Sequence, residues 1–224
     1  YDGKNVTFRL DNIVDENRSF TFNYEHMNDR TGQPGSLSGH YSDIASHLWN
    51  NAALTYNFNQ KGAVSGEVRV YYNYYSQFFQ TVNRDKITGL EYKTGWKLDE
   101  NNTFMVGGNW EKSEVLEAAG GYRNKDVISK ALYIQDIYNI DPKWTLTSGL
   151  RYDHYSTFGG QTTPKVNLNY SADRDTDIYV SYNKVFRVPN LDDLYFDDAY
   201  DAGNPNLKPE KGRVINVGVN KKLS

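Results

Sequence analysis

The chain of 224 residues contains no cysteine. Disulfide staples, Cys-ligated metal sites and thiol nucleophiles are therefore excluded. No stretch approaches the ~18 consecutive apolar residues that a transmembrane helix requires. An excess of one charge is also missing: 25 Lys and Arg stand against 28 Asp and Glu, a net charge of -3. A nucleic-acid partner held by bulk charge is not expected from that balance. Neither a G-x-S-x-G elbow nor an H-E-x-x-H motif occurs. Dispersed Ser, His and Asp would still allow a triad on strands, as in barrel phospholipases and proteases, but nothing favours one. No signal peptide opens the sequence, so an exported protein would have its N-terminus upstream of Tyr1.

What is present is unusual for a soluble core. Mean hydropathy is -0.76, yet aromatic residues make up 15% and there are 19 tyrosines. Disordered chains are poor in aromatics. A transmembrane barrel fits, because one residue in two faces a polar lumen while tyrosines line both interfaces.

Period-two alternation recurs along the chain. Val6, Phe8 and Leu10 alternate with Thr7, Arg9 and Asp11, and Phe20, Phe22 and Tyr24 with Thr21, Asn23 and Glu25. Val64 to Phe78 forms the longest run. Only Val127–Ile140 mixes polar and apolar residues on both parities, which leaves its facing open. The pattern predicts an all-β fold, an antiparallel up-and-down meander of about eleven strands of roughly ten residues, forming part of a transmembrane barrel. Phe8, Phe22, Tyr56, Val70, Leu146, Leu168, Val180 and Val217 are expected to face lipid. Arg9, Asn23, Arg69, Thr147, Asn169 and Asn216 are expected to face the lumen, where Arg9, Arg69 and Arg151 would meet an anionic ligand, a plug or neighbouring acids.

Tight turns are expected near residues 15, 60, 100, 142 and 173, and longer loops near 36, 84, 120, 159 and 199. The first long loop is read as Met27 to about Ser46, the second as a reversal near Asn83–Lys86, the third as about Glu114 to Lys125. One trim end and one elaborate end distinguish a membrane barrel from a soluble sandwich.

The last long loop follows a strand ending Y-N-K-V-F-R and contains V-P-N-L-D-D-L-Y-F-D-D-A-Y-D-A-G-N-P-N-L-K-P-E, Val188 to Glu210. Three of the chain's 6 prolines, Pro189, Pro205 and Pro209, fix φ near its ends. Asn190 and Asn206 are expected to hold the entry and exit turns by bonding nearby backbone. Arg187 should fork onto a carboxylate such as Glu210. Between them, Asp192, Asp193, Asp197, Asp198 and Asp201 would repel one another and leave the tip mobile. They are also candidate oxygen ligands for Ca²⁺, although the spacing is not that of an EF-hand; a solvated acidic loop needs no ion. Tyr195, Phe196 and Tyr200 are candidates to stack on a flat or catecholate ligand, or else pack the loop on itself.

F-R-V-P-N-L followed by G-N-P-N-L-K-P-E resembles the paired boxes of TonB-dependent outer-membrane receptors. The matching residues are Phe186, Arg187, Pro189, Asn190 and Leu191, then Asn204, Pro205, Asn206, Leu207, Pro209 and Glu210. Val188 stands where the first box usually has alanine. A-L-Y-I-Q-D (Ala131–Asp136) and G-L-R-Y-D-H-Y (Gly149–Tyr155) extend the likeness over about the last hundred residues.

The resemblance implies that residues 1–224 are part of a receptor β-barrel domain, without the plug or the closing strands. It implies an outer-membrane location in a Gram-negative-type envelope, contact with outer-membrane lipid, and no enzymatic role. It further implies import of a scarce small metal complex, with a ferric siderophore first and haem or cobalamin behind it. Coupling would run through the plug to an inner-membrane TonB-type protein, with no resident cofactor unless calcium sits on the acidic loop. A passive porin is the reading from another class. His40 and His47, on or beside the first long loop, are candidate ligand contacts, with His26 close by. Haem receptors of this family usually carry a histidine between the two boxes, and none lies there in this chain.

Overall fold

Alternation of apolar and polar side chains gives each segment one face for each environment, and neighbouring segments pair through a simple up-and-down order. The computed structural model of the protein describes residues 1–33, 43–79, 81–198 and 200–222, with only the backbone of Gln33 and Asp43. It contains β1 (Asp2–Asp15), β2 (Arg18–Gln33), β3 (Asp43–Phe58), β4 (Val64–Phe79), β5 (Thr81–Lys97) and β6 (Asn102–Glu117). After these come β7 (Arg123–Asn139), β8 (Trp144–Tyr155), β9 (Gly159–Asp173), β10 (Thr176–Arg187), α1 (Leu191–Tyr195) and β11 (Glu210–Lys221). The eleven strands form one antiparallel sheet in sequence order, as expected, and the sheet is not closed.

The register carries the face assignments across the whole sheet. Leu10, Phe22, Leu54, Val70, Leu90 and Trp110 lie side by side on one face. Farther along, Leu146, Leu168, Val180 and Val217 do the same. All eight residues expected on the apolar face share it, and the six expected opposite share the other. The segment left open is settled by its pairings: Leu132, Ile134 and Tyr138 join the apolar face, while Ala131, Tyr133 and Gln135 join the polar one.

No second layer covers the apolar face. The only buried hydrophobic residues among those described are Ala45, Tyr122, Ala131 and Leu194, whereas Leu132 is 70% and Val217 73% exposed. Such a surface in water would be far larger than a monomer tolerates, so its environment is apolar. Near the tight turns an aromatic belt borders it. Phe20 lies 4.6 Å from Tyr56, Trp96 5.9 Å from Phe104, and Trp144 4.5 Å from Tyr170, centroid to centroid.

The polar face is held by cross-strand pairs. Arg69 meets Glu91 at 3.4 Å and Lys93 meets Glu67 at 3.0 Å, while Arg151 donates across to Asn109 at 2.9 Å and pairs with Asp153 on its own strand at 2.8 Å. Arg9 pairs with Asp11 on its own strand at 2.7 Å. The three arginines read as possible ligand contacts are thus engaged by neighbouring acids. On this face Tyr71, Tyr133 and Tyr179 each lie flat over the glycine opposite, Gly89, Gly107 and Gly218, where any Cβ would collide with the ring.

The expected connections need correction. Strands run 12 to 17 residues rather than about ten. Much of the segment read as the first long loop is strand, since β2 reaches Gln33 and β3 starts at Asp43. Asn83–Lys86 lies inside β5, the chain having reversed just beyond Phe79. β6 extends to Glu117 and β7 begins at Arg123, so the third loop is short. Near residue 159 only three residues separate β8 from β9. Strand pairing simply continues past the apolar zone, because extra ladder bonds satisfy backbone groups that a loop would leave to water. Among the described connections, only that between β10 and β11 is long.

Candidate functional site: the loop end of the polar face

The strands converge at the loop end around a space of about 720 Å³ on the polar face. Tyr75 and Asp85 wall one side, Glu111 and Ser129 form the floor, and Tyr155 with Phe158 stand opposite. The fourth side is Val188–Asp192, the first part of the long loop. Tyr71 donates to Glu111 at 2.6 Å from one layer below.

The loop folds by local capping and then docks at long range. Asn190 accepts the Asp193 amide at 2.7 Å, and the Asp193 carboxylate accepts the Asn190 amide at 2.9 Å, a reciprocal cap on α1. Capping places Leu194 inward, where it is 2% exposed, the most completely buried large side chain described. Gly203 packs against its backbone: a Cβ there would sit 2.6 Å from the Leu194 carbonyl carbon. Asn204 donates its amide to the Asp193 carbonyl at 2.9 Å, which ties the second sequence box to α1.

Docking is onto the β6–β7 connection. Tyr122 donates its hydroxyl to Asp192 at 2.6 Å across 70 residues of sequence. Asp197 donates its amide to the Gly120 carbonyl at 2.9 Å, and the Phe196 ring lies where a Gly120 side chain would be. Lys125 sits 4.5 Å above the Tyr195 ring. Burial, with the Asp192 carboxylate next, pushes the Tyr122 hydroxyl above the usual tyrosine range, so it stays a donor.

These contacts decide where the expected site residues fall. Tyr195 and Phe196 pack against the neighbouring loop, and Tyr200 is 96% exposed. His47 faces the polar side, its Nδ1 2.7 Å from buried Asp29 and its ring stacked 5.3 Å from Trp49. His40 lies outside the described residues. His26 bonds Asn50 at 2.8 Å on the apolar face. Phe186 meets Tyr155 edge-on at 6.0 Å, while Pro189 and Leu191 line the space itself.

Two expectations for the loop are corrected. Arg187 reaches Asp193 and Glu210 only at 3.9 Å each, so it straddles two acids rather than forking onto one. The exit turn is held by Asn204, whose side chain accepts the Asn206 amide at 2.9 Å; the Asn206 side chain does not hold it. Within the acidic tip, Asp198 accepts the amides of Tyr200 and Asp201 at 2.7 Å. The five aspartates do not converge. Among the described residues, no group of three acidic or histidine side chains is placed to hold a metal ion.

Sequence reasoning missed Tyr122, Lys125, Tyr155 and Phe158. The only local hint was Gly120-Gly121, which marks a turn without naming its partner.

The wall, the aromatic belt and the docked loop define a class, and comparison with known proteins gives the same class. Residues 1–224 match the family model for the TonB dependent receptor-like β-barrel, and the chain belongs to that family. The family is one of outer-membrane transport receptors, which are not enzymes. The vitamin B12 transporter BtuB of Photobacterium profundum is 24% identical over 132 residues, covering 59% of this chain and 21% of the relative. BtuB of Vibrio vulnificus is 24% identical over 188 residues, 83% of this chain and 28% of the relative. The siderophore receptor PirA from Pseudomonas aeruginosa superposes with a TM-score of 0.84 at 18% identity, over 99% of this chain and 42% of that receptor. This chain therefore spans under a third of these curated relatives' length.

Proposed function

We propose that this chain is part of a receptor in the outer membrane of a Gram-negative-type envelope. In this reading it binds a ferric siderophore at its loop end and imports it, with energy from an inner-membrane TonB-type protein acting through a plug. The observation that carries it is the 720 Å³ space on the polar face, walled by Tyr75, Tyr155 and Phe158 and bounded by the signature loop. Its size lies in the range of sites that enclose compact ligands, and aromatic rings present flat apolar surface to a chelate. The chain makes no bond in this scheme; it binds and changes shape.

A second reading is cobalamin, supported by the BtuB relatives. An iron chelate wrapped by three bidentate arms is more compact than cobalamin, and a space of about 720 Å³ supports the first reading over the second. Haem is less well supported, since no histidine lies between Arg187 and Gly203, between the two boxes. Titration of the intact receptor, followed by quenching of its aromatic fluorescence, separates the readings. A ferric siderophore is expected to bind at least about tenfold more tightly than cyanocobalamin or haemin, and Tyr155→Ala to weaken it about tenfold, the loss of about 1.4 kcal/mol. Tightest binding by cyanocobalamin would replace the first reading with the second. Equal, weak binding of all three would sink both.

A further inference from the structure

The seam between β9 and β10 closes only part way. Its pairing stops at Asn183 and Lys165, although both strands continue toward the loop end. There β9 goes on pairing with β8 as far as Gly159, and β10 with β11 as far as Arg187. Pro164 is the first residue of β9 past the last pair, and proline has no N–H to give a ladder. Beyond it the strands part around a space of about 710 Å³, lined by Thr162, Lys184, Phe186, Lys211 and Arg213 among others. The register puts Lys184, four residues from Val180, and Arg213, four from Val217, on the apolar face and directly opposite each other. Lys211 stands on the same face, opposite Phe186. All three cations are exposed, and none of the described residues lining the space is acidic. Elsewhere on this face cations near the loop end are matched, with Lys86 and Lys112 meeting Glu114 at 3.1 and 2.9 Å. Like charges directly opposite across a ladder destabilise it, and an anion held between them reverses that sign.

The missing anion has a natural source. On the same face Ile178, Val180 and Tyr182 of β10 pair with Val219, Val217 and Ile215 of β11, and the cations begin at the next step. They therefore mark the border where the lipid-facing surface ends. Longer loops mark the outer side of such barrels, so this border lies at the headgroups of the outer leaflet. We infer that the split seam is a docking site for the phosphate-bearing headgroup of an anionic lipid in that leaflet. Lys184, Lys211 and Arg213 neutralise the phosphate, the Thr162 hydroxyl offers a further donor, and the acyl chains descend along Tyr182, Ile215 and Val217. The inference rests on the membrane-barrel reading and not on which ligand is imported.

The test uses the intact receptor in nanodiscs containing equal amounts of phosphatidic acid, phosphatidylglycerol and phosphatidylcholine with identical acyl chains. Native mass spectrometry then counts the lipids retained. Retention is expected to fall in that order, in step with negative charge, with phosphatidic acid at least about fivefold above phosphatidylcholine. Lys184→Gln combined with Arg213→Gln should remove most of that preference. Lys112→Gln, which deletes a cation of the same face that Glu114 already matches, should leave it unchanged. Equal retention of the three lipids, a preference that survives the double substitution, or one lost equally in Lys112→Gln would overturn the proposal. So would displacement of phosphatidic acid by excess inorganic phosphate, the mark of a site for the free ion. Siderophore binding, measured in the same samples, reports on the loop end separately, so the two readings fail independently.

Discussion

The two ends of the sheet are closed by different means. At the turn end each connection is local. Asp15, Asp99, Asp141 and Asp173 each accept a backbone amide two residues ahead, at 2.7 to 2.9 Å. At the loop end the decisive bonds join distant segments: Tyr122 to Asp192, Asp197 to Gly120, and Ala119 to Asn83 across 36 residues. Local turns fix register and survive alone, whereas a docked loop depends on several contacts being made together. Rigidity at one end and cooperative docking at the other would suit the proposed receptor, in which ligand enters at the loop end.

This contrast can be broken by mutation. The largest effect is expected at Leu194, where Leu194→Ala should cost about 2–5 kcal/mol of loop docking, read as rapid proteolytic nicking within residues 195–202 of the intact receptor. Tyr122→Phe removes a hydrogen bond to a carboxylate and should cost about 1.5–3 kcal/mol, with nicking at the same place but slower. Asp141→Ala, at the opposite end, should cost only about 0.5–1.5 kcal/mol, visible in thermal unfolding and leaving the loop and ligand binding untouched. The effect of pH should be smallest near neutrality. Because the folded ionisation of Tyr122 is raised, its hydrogen bond contributes fully below the ordinary tyrosine value of about 10 and fades only as pH climbs through the higher one. Proteolysis against pH should show that alkaline transition in the unaltered receptor and not in Tyr122→Phe. Calcium should shift none of these curves, because the five loop aspartates do not converge on one point.

The same contrast explains what could be read from sequence. Strand number, order and facing follow from alternation, which is a local signal, and Leu146, Leu168, Val180 and Val217 fall where their parity puts them. The turn end was legible for the same reason, since Asp141-Pro142-Lys143 announces its own turn. Strand ends at the loop end were not, because His47 and Asp85 extend pairing with polar residues that resemble loop composition. Within the signature loop, Asn190 declared its capping role locally. Tyr122, the partner of Asp192, could not be found that way, as nothing in residues 118–125 encodes a contact 70 residues later. Aspartates that look like a metal site in one dimension are separated in three by capping, docking and turn bonds.

Hydrogen exchange of the intact receptor, with and without a ferric siderophore, tests most directly whether a cooperatively docked loop forms one wall of the ligand site. The amides of Asp197, Gly203 and Asn204, bonded to Gly120, Phe196 and Asp193, should be protected in the free receptor. Bound siderophore should slow them at least about tenfold further, while the turn at Asp99–Asn101 should not change. Exchange of those three amides at the rate of an open chain, or protection that a tightly bound siderophore leaves unaltered, would contradict the account.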